Sequence, residues 1–367
     1  MQLTTAQITR AGLTLAAALL ALALLCAPGA RAAGVDGTVA TATGDSPAAV
    51  RDYWTLSRML AATDAQEPPA EAVGARPDPT SARAGSGEAS YVPPAGPDGG
   101  PTAIRSGSPA ATSGQGGDAV ASRRVFTREE ITDPSAAQVR MHGKVFFTIP
   151  KGPEAGDYVC SGTALNSRNR SVVWTAGHCV FDTDGGGFAT NWVFVPAFSA
   201  AGAPFGEWPA RKLATTKGWK RSASIRYDLG AAVVAPDASG RRLGEVVGGR
   251  GIAFDQPRDQ RYLAYGYPAE GNPVEFTGAR EYRCVSLMTG ADSPLGSGPA
   301  TLGIDCDMSG GASGGGWISG STLLSVTSYG YVNEPNRLYG PYLSQGAKAL
   351  YRSASGIKKK PKGGKGR

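Results

Sequence analysis

The sequence predicts an all-β fold for most of the chain after Gly143. From that point on, short apolar or alternating runs are separated by Gly, Pro and Asp, which is the pattern of strands and turns. Many short strands of this kind are typical of a β-barrel or a β-sandwich. The segments with this pattern are Lys144–Ile149, Tyr158–Leu165, Ser171–Thr175, Trp192–Val195, Leu229–Val234, Arg261–Tyr267, Tyr282–Met288 and Thr322–Tyr329.

One helix is predicted after the last of these strands. Apolar side chains recur there at helical spacing, at Leu343, Ala347, Leu350 and Tyr351. Because residues three and four apart share one face of a helix, this face is expected to pack on the β-structure. The tail that follows, residues 356–367, carries much of the formal net charge of +7 and no aromatic residue for base stacking. We expect it to be solvated, without specific binding to nucleic acid.

The chain begins with the pattern of a secretory signal peptide, which we assign to residues 1–32. Arg10 supplies the positive charge, Leu13–Leu25 is a short apolar run, and Ala30-Arg31-Ala32 is a cleavage signal. The apolar run is too short for a comfortable transmembrane helix, and no later segment is long enough for one. The sequence therefore predicts an exported protein with no membrane span, cut after Ala32.

Residues 33–135 are rich in Ala, Gly, Pro and Ser, and they are predicted to be a mostly disordered pro-region or linker. Pro47–Ala62 is an island with a rough helical stripe, made of Val50, Tyr53, Trp54, Met59 and Leu60. Two alternatives are open for this stretch: a pro-segment element that docks on the catalytic domain, or a lone nascent helix. Arg123-Arg124 is a candidate processing site.

Three residues suited to nucleophilic catalysis follow one another in the order His, Asp, Ser. His178 lies in Trp174-Thr175-Ala176-Gly177-His178-Cys179, Asp228 directly precedes an apolar run, and Ser313 lies in Gly310-Gly311-Ala312-Ser313-Gly314-Gly315. A serine hydroxyl needs a neighbouring imidazole to take its proton, and the imidazole needs a carboxylate to fix its tautomer. We predict Ser313 as the nucleophile, His178 as the base and Asp228 as the orienting carboxylate.

The order of these residues excludes two other hydrolase classes. The run Gly311–Gly315 fits the nucleophile elbow of α/β-hydrolases, but those enzymes place their histidine after the serine, and no histidine follows Ser313. A subtilisin-type order needs the aspartate first, and the surroundings of Asp157 do not resemble that family.

At these three stretches the chain resembles the chymotrypsin-like (trypsin-like) serine peptidases, and in particular their secreted bacterial branch. The resemblance extends from roughly Gly143 to Ser353. It implies two antiparallel β-barrels in a peptidase domain of residues 136–355, joined near Pro236–Glu245. His178 and Asp228 would then belong to the first barrel and Ser313 to the second, with the active site in the cleft between them.

The four cysteines that remain after the signal peptide allow three pairings by count alone. The resemblance implies a Cys160–Cys179 bridge, which leaves Cys284 to pair with Cys306. Disulfides suit an exported chain, and each of these would contribute about 3 kcal/mol in the chain-entropy model.

The resemblance also implies how substrate is bound. The N–H groups of Gly311 and Ser313 would form the oxyanion hole, and Ser328-Tyr329-Gly330 resembles the strand that pairs with the substrate backbone. Asp307 takes the position where trypsin-type pockets hold a carboxylate for Arg or Lys. Some bacterial relatives carry a structural Asp near this position, so cleavage after Arg or Lys stays one alternative. Acidic specificity is less favoured, because Thr327 stands where glutamate-preferring relatives usually have His.

Ala312 departs from the pattern of animal trypsins, which have an Asp before the serine. That Asp pairs with the α-amino group made by zymogen cleavage, and Ala312 cannot form this ion pair. Any pro-region of this chain is therefore expected to act by blocking the cleft or by assisting folding.

These observations predict a secreted serine endopeptidase that cleaves proteins or peptides through an acyl-enzyme, as a monomer and without a cofactor. Metal binding is not expected, because the Cys/His spacing does not resemble a zinc site. His142 is expected at the surface. The alternative is a catalytically silent secreted binding module on the same fold, which is less favoured because all three triad residues are present.

Overall fold

The computed structural model describes residues 37–65, 87–97, 126–270, 276–294 and 297–357. The predicted signal peptide, the Arg123-Arg124 pair and the tail from Lys358 lie outside the described residues. Within those ranges, every helix is too short or too polar to cross a membrane.

The N-terminal part of the chain contributes strands and helices that pack on the β-structure. These elements are β1 (Thr38–Ala42), α1 (Pro47–Tyr53), α2 (Leu56–Ala61), β2 (Thr63–Asp64), β3 (Ser90–Val92) and β4 (Thr127–Glu130). The expected mostly disordered state of residues 33–135 therefore does not hold for the described parts of this region. Of the two alternatives for Pro47–Ala62, the structure has the docked one, in which Val50, Trp54 and Met59 are buried.

Residues 142–234 form a closed six-stranded antiparallel barrel with two short helical segments and a small hairpin. Its elements are β5 (His142–Ile149), β6 (Gly156–Leu165), β7 (Val172–Thr175), the hairpin strands β8 (Phe181–Asp182) and β9 (Gly187–Phe188), β10 (Thr190–Pro196), β11 (Trp208–Thr216), α3 (Lys217–Ser222), the 3-10 helix Ile225–Tyr227 and β12 (Gly230–Val234). The strand order is β11-β10-β5-β6-β7-β12, and the pairing of β12 with β11 closes the barrel. The N-terminal strands β1 and β2 extend this sheet by pairing with β11 and β6.

Residues 243–354 form the second β-structure and end in the predicted helix. Its elements are α4 (Leu243–Val246), β13 (Gly251–Phe254), β14 (Arg261–Gly266), β15 (Tyr282–Asp292), β16 (Thr301–Asp305), β17 (Gly316–Ser319), β18 (Thr322–Val326), β19 (Tyr329–Gly330), β20 (Arg337–Gly340) and α5 (Gln345–Ala354). The strand order is β19-β20-β16-β15-β14-β17-β18-β13-β3, with β4 paired to β15. The apolar face of α5 is buried as expected, with Leu350 fully inaccessible.

His142 lies at the start of β5 and is buried, so the expected surface position is wrong. Its ring stacks on Tyr265 of the second β-structure, with ring centroids 4.0 Å apart and planes 11° apart. Burial and the nearby Arg250 guanidinium hold the pKa of His142 well below its usual value. This histidine therefore packs at the contact between the barrel and the second β-structure, which we call the two halves of the molecule.

Candidate active site

A buried carboxylate organises the site. Asp228 is fully inaccessible and follows the 3-10 helix Ile225–Tyr227, directly before β12. Its Oδ1 accepts the backbone N–H of His178 at 2.8 Å, and its Oδ2 lies 2.8 Å from His178 Nδ1. The Ser328 hydroxyl donates a third bond to Oδ2 at 2.6 Å. Two bonds to His178 fix both the position and the tautomer of the imidazole.

Gly177 is required for this approach of Asp228 to His178. A Cβ atom at residue 177 would lie 2.7 Å from Asp228 Oδ1 and 2.8 Å from the ring of Trp219. The Trp219 ring also stands edge-on to the imidazole, with centroids 6.3 Å apart. The glycine before the histidine thus leaves room for the carboxylate and for the indole that packs behind it.

Strand β6 holds the turn that carries Ser313. The N–H of Ser161 donates to the Ser313 carbonyl at 2.7 Å, and the Ser161 hydroxyl donates to the Gly311 carbonyl at 2.8 Å. The same hydroxyl accepts the Tyr267 N–H at 2.9 Å, and the Ser161 carbonyl accepts the Thr175 hydroxyl at 2.8 Å. Ser161 was not among the residues that the sequence singles out, because a serine after a half-cystine has no distinctive pattern.

The turn itself needs glycine at two positions. Gly311 has φ +86° and Gly314 has φ +80°, in the region that favours glycine. A side chain would also clash, since a Cβ at Gly311 would lie 2.6 Å from the Tyr267 carbonyl oxygen and one at Gly314 would lie 2.0 Å from Thr175 Oγ1. The Gly-rich sequence around Ser313 is therefore explained by the backbone it must adopt.

Two anchored carbonyls orient the amides of the expected oxyanion hole. The Gly310 carbonyl accepts the Ala269 N–H at 2.7 Å, and the Ala312 carbonyl accepts the Gly315 N–H at 2.9 Å. In a planar trans peptide the N–H points opposite to the C=O, so the amides of Gly311 and Ser313 point away from these anchors. Within the described residues, neither amide donates to a backbone carbonyl.

The Cys160–Cys179 disulfide lies within the first barrel, beside His178 and the backbone of Ser313. The S–S distance is 2.06 Å, and Cys284–Cys306 is also bridged, at 2.09 Å, so both pairings implied by the resemblance are confirmed. A ring nitrogen of His178 lies within 4.8 Å of both sulfurs of the first bridge, and Cys179 Sγ lies 3.7 Å from the Ser313 carbonyl. Because disulfide sulfurs offer no thiolate, these clusters are not metal sites.

Ser313 is fully inaccessible, and its hydroxyl oxygen makes no hydrogen bond with the described residues. Its backbone is held firmly by β6, as described above. The hydroxyl itself is therefore not committed to a structural role.

Asp307 is engaged by another residue of this chain. Its carboxylate forms an ion pair with Arg128 of β4, whose guanidinium also lies 5.5 Å from the ring of Phe276. Asp307 also lies within 4.8 Å of the Cys284 and Cys306 sulfurs, and burial raises its pKa. The structure therefore does not support the alternative in which this carboxylate pairs with Arg or Lys of a substrate.

In the Ser328-Tyr329-Gly330 strand, the side chains of Ser328 and Tyr329 are engaged within the protein and are not directed to a substrate. The Ser328 side chain is directed to Asp228, and the fully buried Tyr329 bonds through its hydroxyl to Asp292 at 2.6 Å and Thr301 at 2.8 Å. Gly330 is partly exposed. Of these three residues, substrate contacts are left to the backbone and to Gly330.

Comparisons with known proteins were made for sequence and for structure. No family model matches the chain. Among curated proteins, it is 28% identical over 107 residues to the extracellular metalloprotease of Bacillus subtilis, which is 29% of this chain and 33% of that protein. It is 30% identical over 95 residues to the glutamyl endopeptidase of Bacillus licheniformis, which is 26% of this chain and 27% of that protein. The chain thus spans about a third or less of these curated relatives.

Among the similar solved structures are two serine proteases that are matched over their full length. A thermostable serine protease from an extremophilic microorganism is 39% identical, with a TM-score of 0.54, over 61% of this chain and 100% of that chain. Protease Anisep from Arthrobacter nicotinovorans is 35% identical, with a TM-score of 0.55, over 63% of this chain and 100% of that chain. Together with the closed barrel, the second sheet and the C-terminal helix, this similarity shows that the chain belongs to the chymotrypsin-like serine protease family.

Proposed function

We propose that this protein is a secreted serine endopeptidase that hydrolyses peptide bonds through an acyl-enzyme. The proposal rests above all on the His178 imidazole, whose Nδ1 is fixed on the buried Asp228 at 2.8 Å beside the disulfide that also contacts the Ser313 backbone. The two disulfides fit an extracellular protein, and residues 1–32 would direct export and then be removed.

In the proposed first step, Ser313 Oγ attacks the carbonyl carbon of the scissile peptide and its proton passes to His178 Nε2. The negative charge moves to the carbonyl oxygen, which would accept hydrogen bonds from the N–H groups of Gly311 and Ser313. Asp228 stays ionised and stabilises the imidazolium. Collapse of this intermediate breaks the C–N bond as His178 returns the proton to the leaving amine. Water then repeats the sequence on the ester and releases the acid and the free serine.

In the reacting complex, Ser313 Oγ would donate a hydrogen bond to His178 Nε2, which then takes the proton. No cofactor takes part in these steps. We expect the substrates to be proteins or peptides, the enzyme to act as a monomer, and no specific nucleic acid to be bound.

Hydrolysis by variants of the exported chain tests the proposal. Ser313→Ala should lower kcat by several orders of magnitude, and His178→Ala should lower it comparably, because the two residues act as a unit. Ser309→Ala removes a serine from the segment leading into the same turn and should leave kcat unchanged. A Ser313→Ala protein that hydrolyses peptides at the unmodified rate would exclude the proposed nucleophile. If no variant or parent protein cleaves any peptide while Ser313→Ala still binds them, the silent binding module is the correct function.

A peptide panel that varies only the residue before the scissile bond would define specificity. Asp307 is paired with Arg128, so no preference for Arg or Lys is expected from that carboxylate. The name of one matched curated protein, glutamyl endopeptidase, makes Glu an essential member of the panel.

A further inference from the structure

The N-terminal segment, which we define as residues 37–65, is fastened to the first barrel over its whole length. Strand β1 pairs with β11 over five residues, from Thr38 opposite Thr216 to Ala42 opposite Lys212. Further along, Val50, Trp54 and Met59 are buried in one cluster with Tyr267 of the second β-structure and with side chains of the barrel, which are Phe146, Val159, Val193, Val195 and Phe198. Burial of each such side chain contributes about 1.5–3 kcal/mol, so these contacts stabilise the docked position of the segment.

A polar contact network adds to this attachment. Asp157, on the barrel strand β6, accepts the Tyr53 hydroxyl at 2.8 Å, Arg58 Nε at 2.7 Å and the Thr148 hydroxyl at 2.7 Å. Tyr53 and Arg58 belong to α1 and α2 of the segment, whereas Thr148 belongs to the barrel. The two helices are thus fixed directly before the chain reaches β2.

The end of the segment lies along the strand that holds the nucleophile turn. Strand β2 runs parallel to β6, with Thr63 opposite Tyr158 and Asp64 opposite Val159, and the Ala65 N–H donates to the Val159 carbonyl at 3.1 Å. Ser161, two residues beyond Val159 on β6, donates to the Ser313 carbonyl. The segment therefore occupies the backbone edge of β6 next to the proposed nucleophile.

Asp64 itself contacts the turn. Its Oδ2 would lie 1.9 Å from a Cβ atom built on Gly310, so the carboxylate packs directly against the residue before Gly311. The charge of Asp64 is also the main cause that raises the pKa of the nearby Glu270. A carboxylate at this place disfavours the negatively charged oxygen to which the Gly311 N–H is proposed to donate.

We propose that the N-terminal segment is a built-in inhibitor, in which Thr63–Ala65 fills the strand position that a substrate backbone takes beside the nucleophile turn. This inference rests on the proposed function. Pairing of an extended peptide with an exposed strand edge is a common mode of recognition, and a segment of the same chain competes at high effective concentration. The enzyme would turn over after this strand leaves the edge of β6. The full inaccessibility of Ser313 in the docked state agrees with this.

The rate of phosphonylation by a small fluorophosphonate measures how open the site is. We would compare the freshly isolated exported chain with Trp54→Ala, which removes the buried anchor, and with Ala65→Pro, which removes the N–H donor to Val159. Leu60→Ala is the matched control, because Leu60 lies in the same segment and is 52% exposed. Trp54→Ala and Ala65→Pro should react at least about tenfold faster than the parent, and Leu60→Ala at the parent rate.

The outcomes separate the two proposals. If the parent, Trp54→Ala and Ala65→Pro all react at the same measurable rate, the inhibitor is excluded and the peptidase stands. If none of them reacts at Ser313 although all are folded, the peptidase is excluded and the inhibitor with it. Should Trp54→Ala fail to fold, Ala65→Pro alone decides, because it leaves the buried cluster intact.

Discussion

Ser328 donates a hydrogen bond of 2.6 Å from its hydroxyl to Oδ2 of Asp228, a residue of the other half of the molecule. Asp228 belongs to the closed barrel, and Ser328 lies between β18 and β19 of the second β-structure. The carboxylate that orients His178 is therefore positioned by both halves. A movement of the second β-structure relative to the barrel would therefore displace the His178 imidazole. Ser328 itself does not touch the proposed reacting atoms.

Removal of this bond should impair turnover rather than binding. A hydrogen bond to a charged group contributes about 1.5–3 kcal/mol, so Ser328→Ala should lower kcat about tenfold or more with little change in KM. The control is Ser325→Ala, because Ser325 is an equally buried serine of β18 that bonds instead to the Pro341 carbonyl at 2.8 Å. Steady-state kinetics with one peptide substrate would show the difference. Equal kcat losses in the two variants would mean that Ser328 has a purely structural role.

The two disulfides should have similar effects on stability but different effects on catalysis. Replacing either pair by serines should cost about 3 kcal/mol of unfolding free energy. Only the Cys160–Cys179 bridge adjoins His178 and Ser313, so the double variant at 160 and 179 should also lose kcat when assayed well below its Tm. The variant at 284 and 306 serves as its control. If both double variants keep the parent kcat, the first bridge does not help to hold the site.

Asp307 is expected to support the fold and not the recognition of basic substrates. Asp307→Asn should lower the unfolding free energy by about 1–3 kcal/mol, because Arg128 loses a partly buried partner. The ratio of kcat/KM for substrates with Arg and with Ala before the scissile bond should stay the same. A collapse of that ratio in Asp307→Asn would show that the carboxylate does reach the substrate.

Glu281 should make stability depend on pH. It is fully buried, and burial raises its pKa from 4.5 to about 8, against the opposing effects of Arg250, Tyr267 and Arg283. Between these two values the folded protein keeps a proton that the unfolded chain has lost. The stability that this group contributes is therefore complete below the unfolded pKa and is lost as the pH rises through about 8.

The isosteric change Glu281→Gln isolates this effect from the titration of His142 and Lys144. Urea unfolding of both proteins in a Ser313→Ala background, which prevents self-digestion, would give the difference in unfolding free energy. The parent should lose stability relative to Glu281→Gln between about pH 5 and about pH 8. A difference that is constant over this range would show that Glu281 does not hold its proton in the folded state.

Local sequence signals were sufficient to propose the catalytic residues and to predict many strands. The His178, Asp228 and Ser313 motifs depend on short stretches, and strands such as β5 and β6 carry the apolar pattern of residues buried in a barrel. Strands β11 and β16 were missed because Arg, Lys and Gly interrupt their apolar pattern.

Three long-range contacts could not be predicted from the sequence. Residues 37–65 look polar and small on average, yet Val50, Trp54 and Met59 find a matching surface on the barrel. Asp307 pairs with Arg128, which lies 179 residues away in the sequence, and no local sequence pattern predicts this ion pair. His142 is a further case, because its burial depends on Tyr265 of the other half.

A crystal structure of the protein after reaction with a peptidyl phosphonate would test the proposed catalytic residues directly. We expect a covalent bond from Ser313 Oγ to phosphorus, and a phosphonyl oxygen about 2.7–3.1 Å from the N–H groups of both Gly311 and Ser313. His178 Nε2 should lie within hydrogen-bonding distance of Ser313 Oγ, with Nδ1 still on Asp228. A phosphonate attached to another residue would exclude Ser313 as the nucleophile, and a phosphonyl oxygen directed away from those two amides would exclude the proposed oxyanion hole.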